Sequence, residues 1–233
     1  MPLDSETIRN LLLLAPVLVF SVVAHEYAHG YAALKQGDTT AQSLGRLTWN
    51  PIKHIDPFMT ILFPLMLYFG SGGRFVFGAA KPVPVDPRNY RQYRRGDIIV
   101  SLAGIATNLA LAVLCTALVW LFGFLGTVLP AAHSALAVVQ LMMRFGVILN
   151  LALAMFNLLP LPPLDGSHVA KHFMSPSIAQ QYVRLAPYGF IILILLMVLD
   201  VPIISWWMAP AYGAAGVLLR LIPGTLVLPP PWT

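Results

Sequence analysis

Residues 8–34 form an apolar stretch long enough to cross a bilayer, and its last third carries three titratable side chains within five positions: His25, Glu26 and His29. A span needs about 20 apolar residues. An Asp, Lys or Arg at the centre of one costs about 2.5–3.5 kcal/mol on the insertion scale. A fold containing such a segment must therefore turn these groups toward the protein interior or a wet cavity. The rest of the chain is of the same kind: 58% of its residues are apolar and 10% charged, against about 45–50% and 25% in soluble chains. The 233 residues give room for four to six spans with their connections, which leaves none for an appended soluble domain of ordinary size.

Further spans are expected over residues 98–125, 136–159 and 188–207. The segment 58–69 is short, broken by Pro64 and flanked by basic loops, and reads as re-entrant. Residues 70–90 (GSGGRFVFGAAKPVPVDPRNY) are dense in Gly and Pro, with β-favouring runs at 75–77 and 83–85. Irregular backbone at membrane depth must be buried in protein or line a cavity. Residues 211–221 are too short to read as a span, and 223–233 read as an extended tail. The expected fold is an all-α polytopic membrane protein: a helical bundle of about five to six transmembrane segments, with a short re-entrant or β-like element between the first helix and the third segment. It forms one domain over 1–233, with a core over about 8–172 and C-terminal helices over about 185–222.

The formal charge is +5, and nine of the 14 basic residues (Lys35, Arg46, Lys53, Arg74, Lys81, Arg88, Arg91, Arg94 and Arg95) lie between positions 35 and 95. That is the pattern of loops kept on the cytoplasmic side, with 88–95 facing lipid headgroups; a nucleic-acid partner would need a soluble basic surface. The single Cys115 excludes an internal disulfide and a thiolate zinc cluster. The start, with Asp4 and Glu6 against Arg9, lacks a secretory n-region, so the first apolar segment is expected to stay. With these loops inside, His25, His29, Asn108, Asn157 and Asp165 converge near the cytoplasmic face. Asp200 reads as an anchor at the opposite boundary, and Trp206 and Trp207 as an aromatic belt.

His25-Glu26-Tyr27-Ala28-His29 is an HExxH pattern. On a helix its histidines stack four residues apart and can reach one zinc ion, with Glu26 beside them as general base. The bland alternative is a proton relay or a polar knot packing the bundle. Catalytic zinc commonly takes three protein ligands, and Asp165 is the third candidate by depth; it could equally cap the helix that follows its proline-rich turn. His168 and His172, again four apart, could form a rival site with Asp165 or simply stand exposed at a helix start.

HExxH in an apolar helix, followed by Phe156-Asn157-Leu158-Leu159-Pro160-Leu161-Pro162-Pro163-Leu164-Asp165-Gly166, resembles the site-2 protease family of intramembrane zinc metalloproteases. The runs at 50–57 (NPIKHIDP), 80–87 (AKPVPVDP) and 101–108 (SLAG…N) are similar to its compact members without PDZ or CBS domain. Ile105 stands where the related pattern usually has proline. The resemblance spans residues 20–170. It implies one catalytic Zn2+ held by His25, His29 and Asp165, Glu26 as acid/base, and Asn157, His54 and Asn108 as substrate contacts. The bland readings are an interhelical hydrogen bond for Asn157 and a turn for His54. The implied activity is hydrolysis of single-pass transmembrane proteins within or near the span, in regulated intramembrane proteolysis. The expected setting is a prokaryotic cell membrane, with membrane lipid around the chain, no nucleotide domain, and the site toward the cytoplasm. A zinc or proton transporter using the same His and Asp residues is the alternative, and a non-proteolytic relative would lack Glu26. Because a substrate helix must unwind, segments 42–49 and 73–85 are candidate β edges for it. Substrate identity and oligomeric state are not legible.

Overall fold

The computed structural model describes residues 4–70, 78–199 and 201–232. Helix α1 (Ser5–Gln36) starts where Asp4 accepts a hydrogen bond from the Thr7 amide and ends at the left-handed Gly37. A single turn, α2 (Thr40–Ser43), follows. The Pro57–Leu62 turn is wound wide (π-helical), is capped by Asp56, and runs into α3 (Phe63–Gly70). Together they make one short apolar helix, Pro57–Gly70.

Helix α4 (Tyr93–Val128) and α5 (His133–Asn157) form the antiparallel pair at the centre of the bundle. Helix α4 begins five residues before the apolar stretch read from sequence, because Arg94 and Asp97 find partners in the protein. After a tight turn come α6 (Asp165–Ala170), α7 (Pro176–Val183), α8 (Ala186–Val198) and α9 (Pro202–Arg220). The expected 188–207 span is thus divided. Pro202 lacks an N–H and disfavours helical backbone at Val201, which is extended, so a new helix starts there. This helix takes in 211–220, correcting the reading of 211–221 as too short for a span; it also contains Pro210. Asp200 lies outside the described residues.

Among the described residues four helices are long and apolar enough to cross a membrane, α1, α4, the Pro130–Asn157 run and α9, and a bent α7–α8 pair could make a fifth. Much of their apolar surface faces outward, Leu12, Val113 and Trp206 being more than half exposed, as lipid-facing side chains are. The core between α4, α5 and α9 is built from small or branched residues (Ala112, Cys115, Val147, Leu151, Ala211, Ala215) that let backbones approach closely. Trp207 is no simple belt residue: its indole N–H donates to the Met155 carbonyl at 2.8 Å.

The tail is docked rather than free. Gln140, buried on α5, donates to the Val119 and Leu226 carbonyls and accepts from the Leu228 amide at 2.9 Å. One side chain therefore satisfies tail backbone that has no helix to do so.

No β-strand occurs among the described residues. Residues 75–77 lie outside them, and neither 42–49 nor 78–85 forms an edge. Pro82, Pro84 and Pro87 bring no N–H, Arg46 takes the Lys81 and Pro82 carbonyls, and Asp38 takes the Asp86 amide. Asp38 is fully buried just beyond α1 and also accepts from Thr40 and Asn89. Burial would raise its carboxyl pKa, but the hydrogen bonds from Asn89, Thr40 and the Asp86 amide outweigh it and hold the group below the ordinary carboxylate value. A depressed folded-state value means stability present above the unfolded value and lost as pH falls through the folded one. Asp38→Asn is therefore expected to cost about 1–3 kcal/mol at neutral pH. In detergent thermal melts its deficit against the parent chain should shrink between pH 7 and pH 3; a constant deficit would show that the ionised carboxylate is not the stabilising species.

Candidate metal centre

Helix spacing places His25 and His29 one turn apart on the side of α1 that faces α4, and each ring is oriented from behind. The His29 Nδ1 lies 2.7 Å from the Val100 carbonyl. A carbonyl only accepts, so Nδ1 carries the proton and Nε2 the lone pair. His25 is fixed by a longer chain. Asn150 donates to the Gly146 carbonyl and to Ser21 Oγ, so its Oδ1 accepts from the Asn108 amide at 2.8 Å. That leaves Asn108 Oδ1 to accept from His25 Nδ1 at 2.5 Å. Both Nε2 atoms therefore point their lone pairs into the same space, 2.9 Å apart.

Asp165 completes the group. It is the first residue of α6, its side chain does not cap the helix, and its Oδ2 stands 3.2 Å from each Nε2. That oxygen is buried and has no hydrogen-bond partner. Gly166 lets the turn come this close, since a Cβ there would fall 2.1 Å from the Leu158 carbonyl oxygen. Gly104 does the same on α4: a Cβ would lie 2.5 Å from both the His25 ring and His29 Nε2.

With both rings neutral these three lone-pair atoms would repel one another, and a cation shared between them, a proton or a metal ion, removes the repulsion. Zinc bonds of about 2.0–2.1 Å set tetrahedral ligands roughly 3.3–3.4 Å apart, close to the spacing found. Among the described residues this is the one cluster of His, Cys, Asp or Glu able to hold a metal ion, and it fits zinc.

The group opens on a cavity of about 450 Å3 whose wall includes Glu26, Ala80, Val83, Asp97, Asn157 and His168. Glu26 Oε2 accepts from the Val83 amide at 2.7 Å, which holds the carboxylate beside the histidines. Asn157 donates to the Leu153 carbonyl one turn earlier, leaving its Oδ1 and one N–H unused by that bond. Asn108 is fully buried behind His25 and His54 is buried with Nε2 on the Thr48 carbonyl; neither is part of the cavity wall.

His168 and His172 do not join Asp165 in a rival site. His168 Nδ1 lies 3.3 Å and His172 Nε2 2.6 Å from the carboxylate of Asp97, and Lys171 Nζ lies 2.8 Å from it. The sequence offered no role for Asp97, the Val100 carbonyl, Gly104 within the SLAG run, or Asn150 within the 136–159 span. The available signal was the spacing of Asp97, Gly104 and Asn108, which share one helical face.

The model of peptidase family M50 matches residues 13–137 and 121–198. A Bacillus subtilis protein named "Putative zinc metalloprotease YwhC" is 40% identical over 197 residues, 84% of each chain. "Putative zinc metalloprotease Rip2" of Mycolicibacterium smegmatis is 30% identical, over 81% of this chain and 67% of that one. Its namesake in Mycobacterium tuberculosis strain H37Rv is 31% identical, over 91% and 78%. No solved structure matches the chain. A membrane-type helical bundle, a metal-competent His-His-Asp group and this kinship agree, and the chain belongs to peptidase family M50, the site-2 protease family of zinc metalloproteases.

Proposed function

We propose that the chain hydrolyses peptide bonds within or next to the spans of single-pass membrane proteins, in regulated intramembrane proteolysis. Its place is the cytoplasmic membrane of a prokaryote, with the site toward the cytoplasm. The observation that carries this reading is the meeting of one ligand atom each from His25, His29 and Asp165 beside the Glu26 carboxylate, in a cavity sized for water and a length of peptide. His25, His29 and Asp165 would hold the ion, which when bound would supply Lewis acidity to the scissile carbonyl and lower the pKa of the attacking water.

The remaining work belongs to the protein. Glu26 takes the proton of the attacking water and returns it to the leaving amine. Its hydrogen bond from Val83 fixes one carboxylate oxygen and leaves the other to the water. Asn157 uses its unused amide groups on the substrate, its N–H toward the developing oxyanion and its oxygen toward a peptide N–H. A substrate helix must unwind first, because an intact helix already pairs the backbone groups that the site has to reach.

The test is cleavage of a panel of single-pass proteins by the purified chain in detergent. Glu26→Gln should retain zinc and lose about 10²–10⁴-fold in turnover, and a chelator should abolish cleavage that added zinc restores. Unchanged cleavage in Glu26→Gln would overturn the mechanism. Zinc flux through liposomes carrying either variant, without proteolysis, would identify a transporter instead.

Asn157→Leu should lower kcat roughly 10²-fold at unchanged zinc stoichiometry, as metal analysis beside steady-state kinetics would show. A loss of zinc with activity would place Asn157 in support of the metal ligands and away from the substrate.

A further inference from the structure

Helix α4 supplies no metal ligand, yet one stripe of it touches both histidines of the metal centre. Asn108 receives His25 Nδ1, the Val100 carbonyl receives His29 Nδ1, and Gly104 lies flat beneath both rings. These positions follow one another at helical spacing. The same stripe reaches Asp97 one turn before Ser101, and Asp97 is buried where a carboxylate is costly unless fully paired.

Its partners all come from the segment that carries Asp165. Lys171 Nζ and His172 Nε2 share Asp97 Oδ2 at 2.8 and 2.6 Å, and His168 Nδ1 faces Oδ1 at 3.3 Å. Arg94, in the first turn of α4, adds a hydrogen bond to the His172 carbonyl at 3.1 Å. Asp165, His168 and His172 recur at i, i+3 and i+7, on one side of α6 and its short continuation. The face that presents Asp165 to the histidines is therefore the face that grips Asp97. Gripping the far end of a six-residue helix sets its rotation, and with it the direction of the carboxylate at its first position.

We infer that Asp97 is a positioning residue for the metal centre: by clamping Lys171, His172 and His168 it fixes the orientation in which Asp165 meets His25 and His29. The inference rests on the proposed role of Asp165 as third ligand. Groups one step removed from a metal typically change its affinity ten- to hundredfold when lost, and Asp97 sits two steps from the ion through a rigid turn.

The experiment is a zinc-affinity cycle on the full chain in detergent, read by competition with a chromogenic chelator, with thermal melts of the metal-free proteins alongside. Asp97→Asn is expected to weaken zinc about tenfold, and Asp165→Asn more. The double variant should bind zinc no more weakly than Asp165→Asn alone, because a clamp has no effect once its cargo is gone. Losses that multiply in the double variant, or an Asp97→Asn affinity equal to that of the parent chain, would overturn the inference while leaving Asp165 as a ligand. An Asp165→Asn variant with parental affinity would instead remove the ligand assignment on which it rests. Should Asp97→Asn fail to accumulate, Lys171→Met deletes one of the clamp's arms and must show the same non-additivity with Asp165→Asn.

Discussion

Two imidazole nitrogens 2.9 Å apart, each with its lone pair turned toward the other and toward a carboxylate oxygen, are the feature on which the remaining structure depends. The Val100 carbonyl and Asn108 tie the two rings from behind and hold this arrangement. The chain of orientation is unambiguous: the Gly146 carbonyl sets Asn150, Asn150 sets Asn108, and Asn108 sets the tautomer of His25. A backbone carbonyl on one helix thereby decides which nitrogen of a residue on another is free to bind metal. Buried amides of this kind hold a bundle together by interhelical hydrogen bonds, and here the same bonds also prepare a ligand.

The bilayer adds a second constraint, since irregular backbone must find partners inside the protein. The solutions are local and use few side chains. Gln140 serves the docked tail with two hydrogen bonds and ties itself to the Val119 carbonyl of α4 with a third. Asp38 and Arg46 serve the 81–89 run, while prolines remove several donors that would otherwise need partners. The polar groups of this apolar chain are concentrated where backbone leaves its helices and where the metal-competent cluster forms.

Much of the site was legible before the fold. The helical period put His25 and His29 on one face, and the basic loops gave a topology that brought Asp165 to the same depth. Asp165 itself was ambiguous, because an acidic residue after a proline-rich turn is also a good helix cap; the structure places it at the first helical position with no capping bond. Asp97 was obscured by its company, since a carboxylate in an arginine-rich stretch reads as part of a solvated loop. Only the tertiary packing of 168–172 against α4 gives it its role. The division at Pro202 was likewise hidden, because hydropathy continues across a break that one missing N–H and one extended residue create.

The two walls of the cavity differ in kind, and on the proposed reading this governs how a peptide arrives. The α4 wall is closed: Gly104 touches both imidazole rings, and even a methyl group has no room there. The opposite wall is the irregular 79–86 run, anchored at Ala79 by Thr60, at Lys81 and Pro82 by Arg46, and at Asp86 by Asp38. Between these anchors Val83 meets Glu26 through a single hydrogen bond. A hydrogen bond to a charged carboxylate is worth about 1.5–3 kcal/mol net, and the Val83 side chain is itself buried against Gly30. On the proposed reading a substrate backbone approaches from the Val83 side, where the amide holds one Glu26 oxygen and leaves the other to the water, while the histidines stay set by α4.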